Sequence, residues 1–138
     1  MKATDLMVDI FVYFNCFDGT RIAVRVTGFN GNVVYGASEN GSHWCTIEKV
    51  EPIPLTTEIL EKNGFIKSTP PSGIHARCYE LNNKKDRYNL TIADYNKYKR
   101  LLLDVDSEDS ECFNIKCDYV HELQHALHLC GIEKTIEL

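Results

Sequence analysis

The chain has 138 residues, of which 43% are hydrophobic and 25% are charged, and its net charge at pH 7 is −5. The length is typical of one domain, and the composition excludes a disordered or collagen-like chain. The excess of acidic residues disfavours nucleic-acid binding through neutralisation of phosphates. We therefore expect a single domain over residues 1–138, with a β-rich part over 1–50 and an α/β part over 51–138.

The start of the chain and the cysteines predict the compartment. Residues 1–5 contain no apolar segment of the kind found in a secretory signal, and no apolar run approaches the length of a membrane helix. The six cysteines include no Cys-x-x-Cys pair. Since cytosolic cysteines stay reduced and are often buried, we expect a soluble cytoplasmic protein whose cysteines are mostly buried.

The first fifty residues predict β-structure. Four segments rich in β-branched and aromatic residues alternate with short polar turns that contain Gly, Asn or Asp. The predicted strands cover residues 10–14, 22–26, 33–35 and 44–47. Four short strands joined by tight turns are typical of a small curled sheet or an SH3-like barrel.

The proline-containing segment 51–54 interrupts this pattern, and a short helix is predicted over 55–63. Thr56 or Thr57 can cap its N-terminus, and Gly64 follows its end. A loop is predicted over 69–73, and turns over 82–83, 94–96 and the acidic stretch 106–110. The remaining segments predict an antiparallel sheet with strands over 76–81, 88–92, 101–105 and 112–115.

A C-terminal helix is predicted over 119–130, with Asp118 as its cap and Gly131 at its end. Its apolar face consists of Val120, Leu123, Leu127 and Cys130. The opposite side carries His121, His125 and His128. If the apolar face packs on the sheet, these histidines should face water, and residues 133–138 should form a last strand. The expected fold is thus α+β, with an SH3-like N-terminal part followed by an antiparallel sheet that packs against the C-terminal helix.

Residues 121–125, His-Glu-Leu-Gln-His, match the H-E-x-x-H motif of zinc metallopeptidases. Histidines four residues apart on a helix can bind one Zn²⁺, while the glutamate acts as a general base on the bound water. The resemblance to these enzymes implies His121 and His125 as ligands and Glu122 as the base. A third ligand is usual in catalytic zinc sites. It would be His75 or His43, because few residues follow His125.

Two further metal hypotheses are weaker. Cys112 and Cys117 precede the two histidines with ligand types of structural zinc, but one straight helix cannot surround an ion. The acidic run 104–111 lacks the glycine and the ligand spacing of a calcium-binding EF-hand, and a solvated hairpin turn explains it. The sequence therefore predicts no cofactor, and only the hydrolase hypothesis requires zinc.

Three phrases occur in order along the chain: Thr-Asp-Leu-Met-Val at 4–8, Glu-Pro-Ile-Pro-Leu-Thr at 51–56, and Tyr-Val-His-Glu-Leu-Gln at 119–124. Together they resemble a group of short uncharacterised proteins of Bacteroides-type gut bacteria and their phages or prophages. The resemblance implies no established activity, and it implies that the residue at position 125 varies. The group commonly has Gly-Asp after its Leu-Met-Val phrase, whereas here Asp9 follows directly, so the first turn should differ.

These observations favour a non-enzymatic binding or interaction module of a phage or mobile element. Its partner would be a host or phage protein or a small ligand, with no membrane or nucleic acid involved, and self-association stays open. The aromatic residues expected to be exposed on the strands, and to anchor a partner, are Tyr13, Tyr35 and Trp44. The alternative function is a zinc-dependent hydrolase that uses His121, Glu122 and His125.

Overall fold

The computed structural model describes residues 1–70, 75–83, 88–105 and 112–138. These residues form two antiparallel five-stranded sheets and one main helix, which confirms the predicted α+β class. Contacts divide the chain into two compact units, an N-terminal unit of residues 1–54 with 119–124 and a C-terminal unit of residues 55–118 with 125–138. Among the described residues, the helices are too short or too polar to cross a membrane.

The sheet of the N-terminal unit has the strand order β4-β3-β2-β1-β5, and it does not close into a barrel. Its strands are β1 (Phe11–Asn15), β2 (Arg21–Asn30), β3 (Val33–Ser38), β4 (Gly41–Thr46) and β5 (Val50–Pro52). The four strands predicted for this region are present. The sequence prediction missed β5, because its proline was taken as a break. Proline is tolerated there since β5 lies at an edge of the sheet, where it pairs only with β1.

Alternate residues of these strands face one core, as the period of two along a β-strand requires. The buried residues are Leu6, Ile10, Val12, Phe14, Val24, Val26, Val34, Cys45 and Val50. Gly36 lies against this core, where an added Cβ would come within 2.7 Å of Val24 Cγ2. A larger residue at position 36 would therefore displace the packed side chains.

The second sheet belongs to the C-terminal unit and has the order β10-β9-β8-β7-β6. Its strands are β6 (Ile66–Ser68), β7 (Arg77–Asn83), β8 (Tyr88–Asp94), β9 (Lys99–Val105) and β10 (Cys112–Lys116). Four of them were predicted and β6 was not. The turn predicted at 82–83 is wrong, because Asn82 and Asn83 pair with β8 inside the sheet. The acidic turn 106–110, most of the loop 69–73 and the basic residues at 84–87 lie outside the described residues.

The helices are α1 (Thr57–Lys62) and α2 (Val120–Leu129). The Thr56 hydroxyl accepts the N–H of Ile59 at 3.3 Å, which confirms a predicted cap. Both helices end as predicted at a glycine with positive φ, Gly64 at 88° and Gly131 at 69°. Around each glycine, backbone N–H groups bond back to the last helical turn, as in a Schellman motif.

Residues 133–138 do not form the predicted last strand. Instead, the side chain of Asn63 donates to Glu137 O at 2.7 Å and accepts from Glu137 N at 2.8 Å. The amide thus supplies the two hydrogen bonds that a strand partner would supply, and the neighbouring Ile136 is buried. The segment thus makes backbone hydrogen bonds, but to a side chain and not to a neighbouring strand.

Candidate functional site

The start of α2 contains the motif that matches zinc peptidases, and its backbone is attached to the segment before α1. Tyr119 forms an isolated β-bridge with Pro54, and Val120 N donates to Ile53 O at 2.9 Å. All these residues belong to the N-terminal unit. The motif therefore begins where the helix meets a short antiparallel contact.

Glu122, the base of the hydrolase hypothesis, lies in the first turn of α2. Its Oε2 accepts a hydrogen bond from the N–H of Tyr119 at 3.1 Å. This bond is half of a capping box, in which the third helical residue satisfies the N–H of the residue before the helix. A carboxylate at this end also interacts favourably with the helix dipole. Glu122 therefore has a structural role as a cap of α2.

The side chain of Gln124 connects α2 to the start of β1 through two hydrogen bonds. Its Oε1 accepts the N–H of Phe11 at 2.9 Å, and its Nε2 donates to Asp9 O at 3.2 Å. The edge strand β5 ends at Pro52, opposite Val12, so Gln124 takes over the hydrogen bonding of β1 beyond that point. Asp9 has a positive φ of 72°, and its carboxylate pairs with Arg25 at 2.6 Å. One amide side chain thus fixes a strained turn and the first residue of β1.

The histidines of α2 are not all exposed, which corrects the expectation that they face water. His121 is only 6% exposed, and its ring stacks on Tyr119 with centroids 5.8 Å apart. His125 is half-buried, and only His128 is exposed. The buried arc of α2 is therefore wider than the single apolar face assumed from the sequence.

The apolar face itself is largely as predicted. Val120, Leu123 and Leu127 are buried, and Ala126 joins them. Cys130 was placed on this face, but it is exposed, as are His128 and Leu129 before it. The buried residues of α2 therefore lie between Val120 and Leu127.

No group of three or more His, Cys, Asp or Glu side chains suited to a metal ion occurs among the described residues. Of the three motif residues, His121 and Glu122 belong to the N-terminal unit, and His125 belongs to the C-terminal unit. Of the proposed third ligands, His43 is hydrogen-bonded to Ser38 Oγ at 2.7 Å, and His75 is exposed. The described residues thus offer no complete ligand set for the zinc hypothesis.

A different site emerges in the N-terminal unit, beside β4. A cavity of about 250 Å³ is lined by residues 14–17 at the end of β1, by Ile22, by residues 42–46 of β4 and by Lys49. We call it the β4 cavity. Its rim carries Phe17, which is 95% exposed, and Trp44, which is 61% exposed. Two large aromatic side chains therefore flank an opening whose floor is the hydrophobic core.

The strand pairing explains how Trp44 reaches this rim. Within β4, Cys45 points into the core, so its neighbour Trp44 points to the outer face of the sheet. Trp44 lies directly opposite Tyr35 of β3, which is also exposed. Tyr13, the third predicted anchor, lies outside the cavity, and the guanidinium of Arg21 stacks over its ring at 4.4 Å. The structure thus brings one predicted anchor to the cavity and gives another an intramolecular partner.

Two cysteines, Cys16 and Cys45, are among the residues that line the cavity. Burial, with a smaller contribution from nearby Cys16, raises the pKa of the Cys45 thiol to about 11. Cys45 is therefore a neutral thiol at physiological pH and not an activated nucleophile. Cys16, Cys45, Cys78, Cys117 and Cys130 are free, and three of these five, Cys45, Cys78 and Cys117, are buried.

The sequence prediction missed Phe17 and Lys49 as site residues. Phe17 stands beside the turn residues Asp18 and Gly19, where a large apolar side chain has little to pack against. That signal was available from the sequence. Lys49 was not predictable, because the 3₁₀ helix Ile47–Lys49 that positions it has no clear sequence signature.

Comparison of the chain with protein-family models, with curated proteins and with solved structures gave no match. The residues and their geometry therefore carry the functional argument.

Proposed function

We propose that the protein is a non-enzymatic binding module and that the β4 cavity is its ligand site. The observation that supports this most strongly is the exposure of Phe17 and Trp44 on the rim of one cavity. Aromatic side chains that stay exposed beside a concave apolar surface are typical of binding hot spots. Trp44 is the only tryptophan of the chain.

The size of the cavity limits its ligand. Sites for drug-sized molecules and cofactors usually enclose about 300–1,000 Å³. The β4 cavity encloses about 250 Å³, which fits one large side chain or a small molecular fragment. Its lining includes Lys49 and no Asp or Glu. A ligand with an apolar group next to a negative charge matches this lining.

The zinc-dependent hydrolase is the weaker hypothesis because two residues within its motif, Glu122 and Gln124, have structural roles in the fold. Glu122 caps α2, and Gln124 binds the backbone at Asp9 and Phe11. These contacts give Glu122 and Gln124 structural roles in the fold.

Two further features support the fold type and the biological setting that we propose. The strand order, with the 3₁₀ helix Ile47–Lys49 between β4 and β5, supports an SH3-like interpretation of the N-terminal sheet. The three phrases at 4–8, 51–56 and 119–124 support a relation to the proteins of gut bacteria and their phages. The proposed module is therefore cytoplasmic, belongs to a phage or mobile element, and binds a host or phage protein or a small ligand.

The test is a fragment titration of the ¹⁵N-labelled full chain, followed by amide chemical shifts and by the emission of Trp44. The fragments are small aromatic, aliphatic and carboxylate compounds. We expect shifts that cluster at residues 14–17 and 42–49 and that disappear in the Trp44→Ala variant. Phe29→Ala is the matched control, because Phe29 is an exposed aromatic residue of the same unit outside the cavity. Shifts that cluster elsewhere, or no shifts with any fragment, would refute the proposed site.

A further inference from the structure

The β4 strand forms one edge of the N-terminal sheet. Its only partner in the strand order is β3, so in this unit, all of whose residues are described, no strand is hydrogen-bonded to its second side. The backbone N–H and C=O groups on such a side can pair with another strand.

The register identifies the backbone groups that face outward. Ile47 N donates to Asn32 O at 2.8 Å, and the ladder continues from there through Thr46 opposite Val33. Because hydrogen-bonded and non-hydrogen-bonded pairs alternate in an antiparallel ladder, Thr46 belongs to a non-hydrogen-bonded pair, and so do Trp44 and Ser42. These three residues direct their N–H and C=O groups away from β3.

The two edges of this sheet differ in composition. The β5 edge, Val50–Pro52, has three residues, including a glutamate and a proline, which are common means of preventing strand addition. The β4 edge, Gly41–Thr46, has six residues, Gly-Ser-His-Trp-Cys-Thr, with no proline and no Asp, Glu, Lys or Arg. Only the β4 edge is long and uncharged enough to accept a strand.

The β4 cavity lies along this same edge. Residues 42–46 line it from one side, and residues 14–17 line it from the other. Side chains of an added strand alternate between its faces, so that one of them can enter a neighbouring pocket. Lys49 also lines the cavity and provides a positive charge in a chain with a net charge of −5.

From these observations we infer that the ligand is an extended segment of a partner protein that adds as a sixth strand along β4. The segment places one large apolar side chain between Phe17 and Trp44 and an acidic residue near Lys49. Its backbone pairs with the outward groups of Ser42, Trp44 and Thr46. This inference rests on the β4 cavity as the binding site and specifies the chemistry of its occupant.

The first experiment selects random peptides displayed on phage against the full chain, with the Trp44→Ala variant for counter-selection. Enriched peptides should share a large apolar residue next to an acidic residue. Each synthetic peptide is then titrated against wild type and against Trp44→Ala by isothermal titration calorimetry. If no selected peptide binds wild type more tightly than it binds Trp44→Ala, the inference is overturned.

The second experiment tests the backbone pairing with two variants of one residue. Thr46 has φ −77°, which proline can adopt, so Thr46→Pro removes an outward N–H without disturbing the pairing with β3. Thr46→Ala removes the same side chain and keeps the N–H. We expect Thr46→Pro to weaken peptide binding at least about tenfold and Thr46→Ala to change it about threefold or less. Equal affinities for the two variants would contradict strand addition.

A third measurement does not depend on the folding of a variant. In hydrogen exchange, bound peptide should slow the amides of Trp44 and Thr46, and N-methylation of the peptide at alternate positions should abolish both binding and protection. If fragments shift the cavity residues but no peptide protects these amides, the binding site survives and strand addition fails. Protection that grows with protein concentration in the absence of peptide would identify a second copy of the chain as the occupant and overturn the inference.

Discussion

The start of α2 and the strand β4 lie in the same unit and differ in how they use their side chains. The phrase at 119–124 matches a catalytic motif, yet Glu122 and Gln124 are bound to backbone groups of this unit. The strand β4 matches no motif, yet it exposes Trp44 and one uncovered edge. Residues that already have structural partners need no functional explanation, whereas exposed aromatic residues and uncovered edges do.

The packing of α2 should give the largest effect on stability. Leu123 is buried in the middle of the phrase, so Leu123→Ala should lower the free energy of unfolding by about 2–5 kcal/mol through lost contacts and a cavity. Leu129→Ala is the matched control, because Leu129 lies on the same helix and is 83% exposed. It should change stability by about 0.5 kcal/mol or less. Urea denaturation measures both, and a neutral Leu123→Ala would contradict the assigned buried face.

The amide of Gln124 should have the next largest effect. Gln124→Ala removes the bonds to Phe11 N and Asp9 O and should cost about 1–3 kcal/mol, since a backbone donor loses its partner. The amide of Phe11 should exchange faster with solvent in this variant. Gln124→Glu keeps the acceptor for Phe11 and loses only the donor, so its effect should be smaller. Unchanged exchange at Phe11 would show that the amide does not hold β1.

Removal of the cap that Glu122 provides should have a smaller effect on stability. This effect tests whether Glu122 caps the helix. Glu122→Ala should lower stability by about 0.5–1 kcal/mol, while Glu122→Gln keeps an acceptor for Tyr119 N and should lose less stability.

The zinc content tests the hydrolase hypothesis directly. That hypothesis predicts near one zinc ion per chain, which is lost in His121→Ala. We expect elemental mass spectrometry of the untagged protein to find the same low zinc content in the wild type and in His121→Ala. Stoichiometric zinc lost in the variant would restore the hydrolase hypothesis.

The buried thiol of Cys45, on the inner face of β4, should react slowly in the wild-type protein. The pKa of the Cys45 thiol is raised to about 11 from 9.0, so at mildly alkaline pH it should be alkylated far more slowly than exposed Cys130. The folded-state pKa exceeds the unfolded value, so any stabilisation from this thiol is complete below pH 9.0 and is lost as the pH rises through about 11. Mass spectrometry of the alkylated protein measures the rates, and equal rates would contradict the burial of Cys45.

Local sequence patterns predicted much of the fold. Thr56 and Gly64 predicted both ends of α1, and Gly131 predicted the end of α2. The short strands β5 and β6 were missed because three residues are too few for an alternating pattern. The last strand was predicted wrongly because Asn63 makes hydrogen bonds that a strand would make, and such a contact between distant residues leaves no local signal.

The site was less predictable than the fold. Trp44 was identified as a candidate exposed anchor because it is an aromatic residue on a predicted strand. Tyr13 was chosen for the same reason, but Arg21 stacks over its ring, which depends on the pairing of β1 with β2. The burial of His121 was unpredictable from a helical wheel, because a wheel describes one helix and does not include the segment at Ile53 and Pro54.

The most direct test of the account compares the affinity of one selected peptide for two variants, Trp44→Ala and Gln124→Ala, under conditions in which both are folded. We predict that Trp44→Ala loses at least about tenfold in affinity while its stability changes little, because Trp44 is exposed. Gln124→Ala should bind like wild type although it is less stable. The opposite result, with binding lost in Gln124→Ala and retained in Trp44→Ala, would contradict the assignment of packing to α2 and of binding to β4.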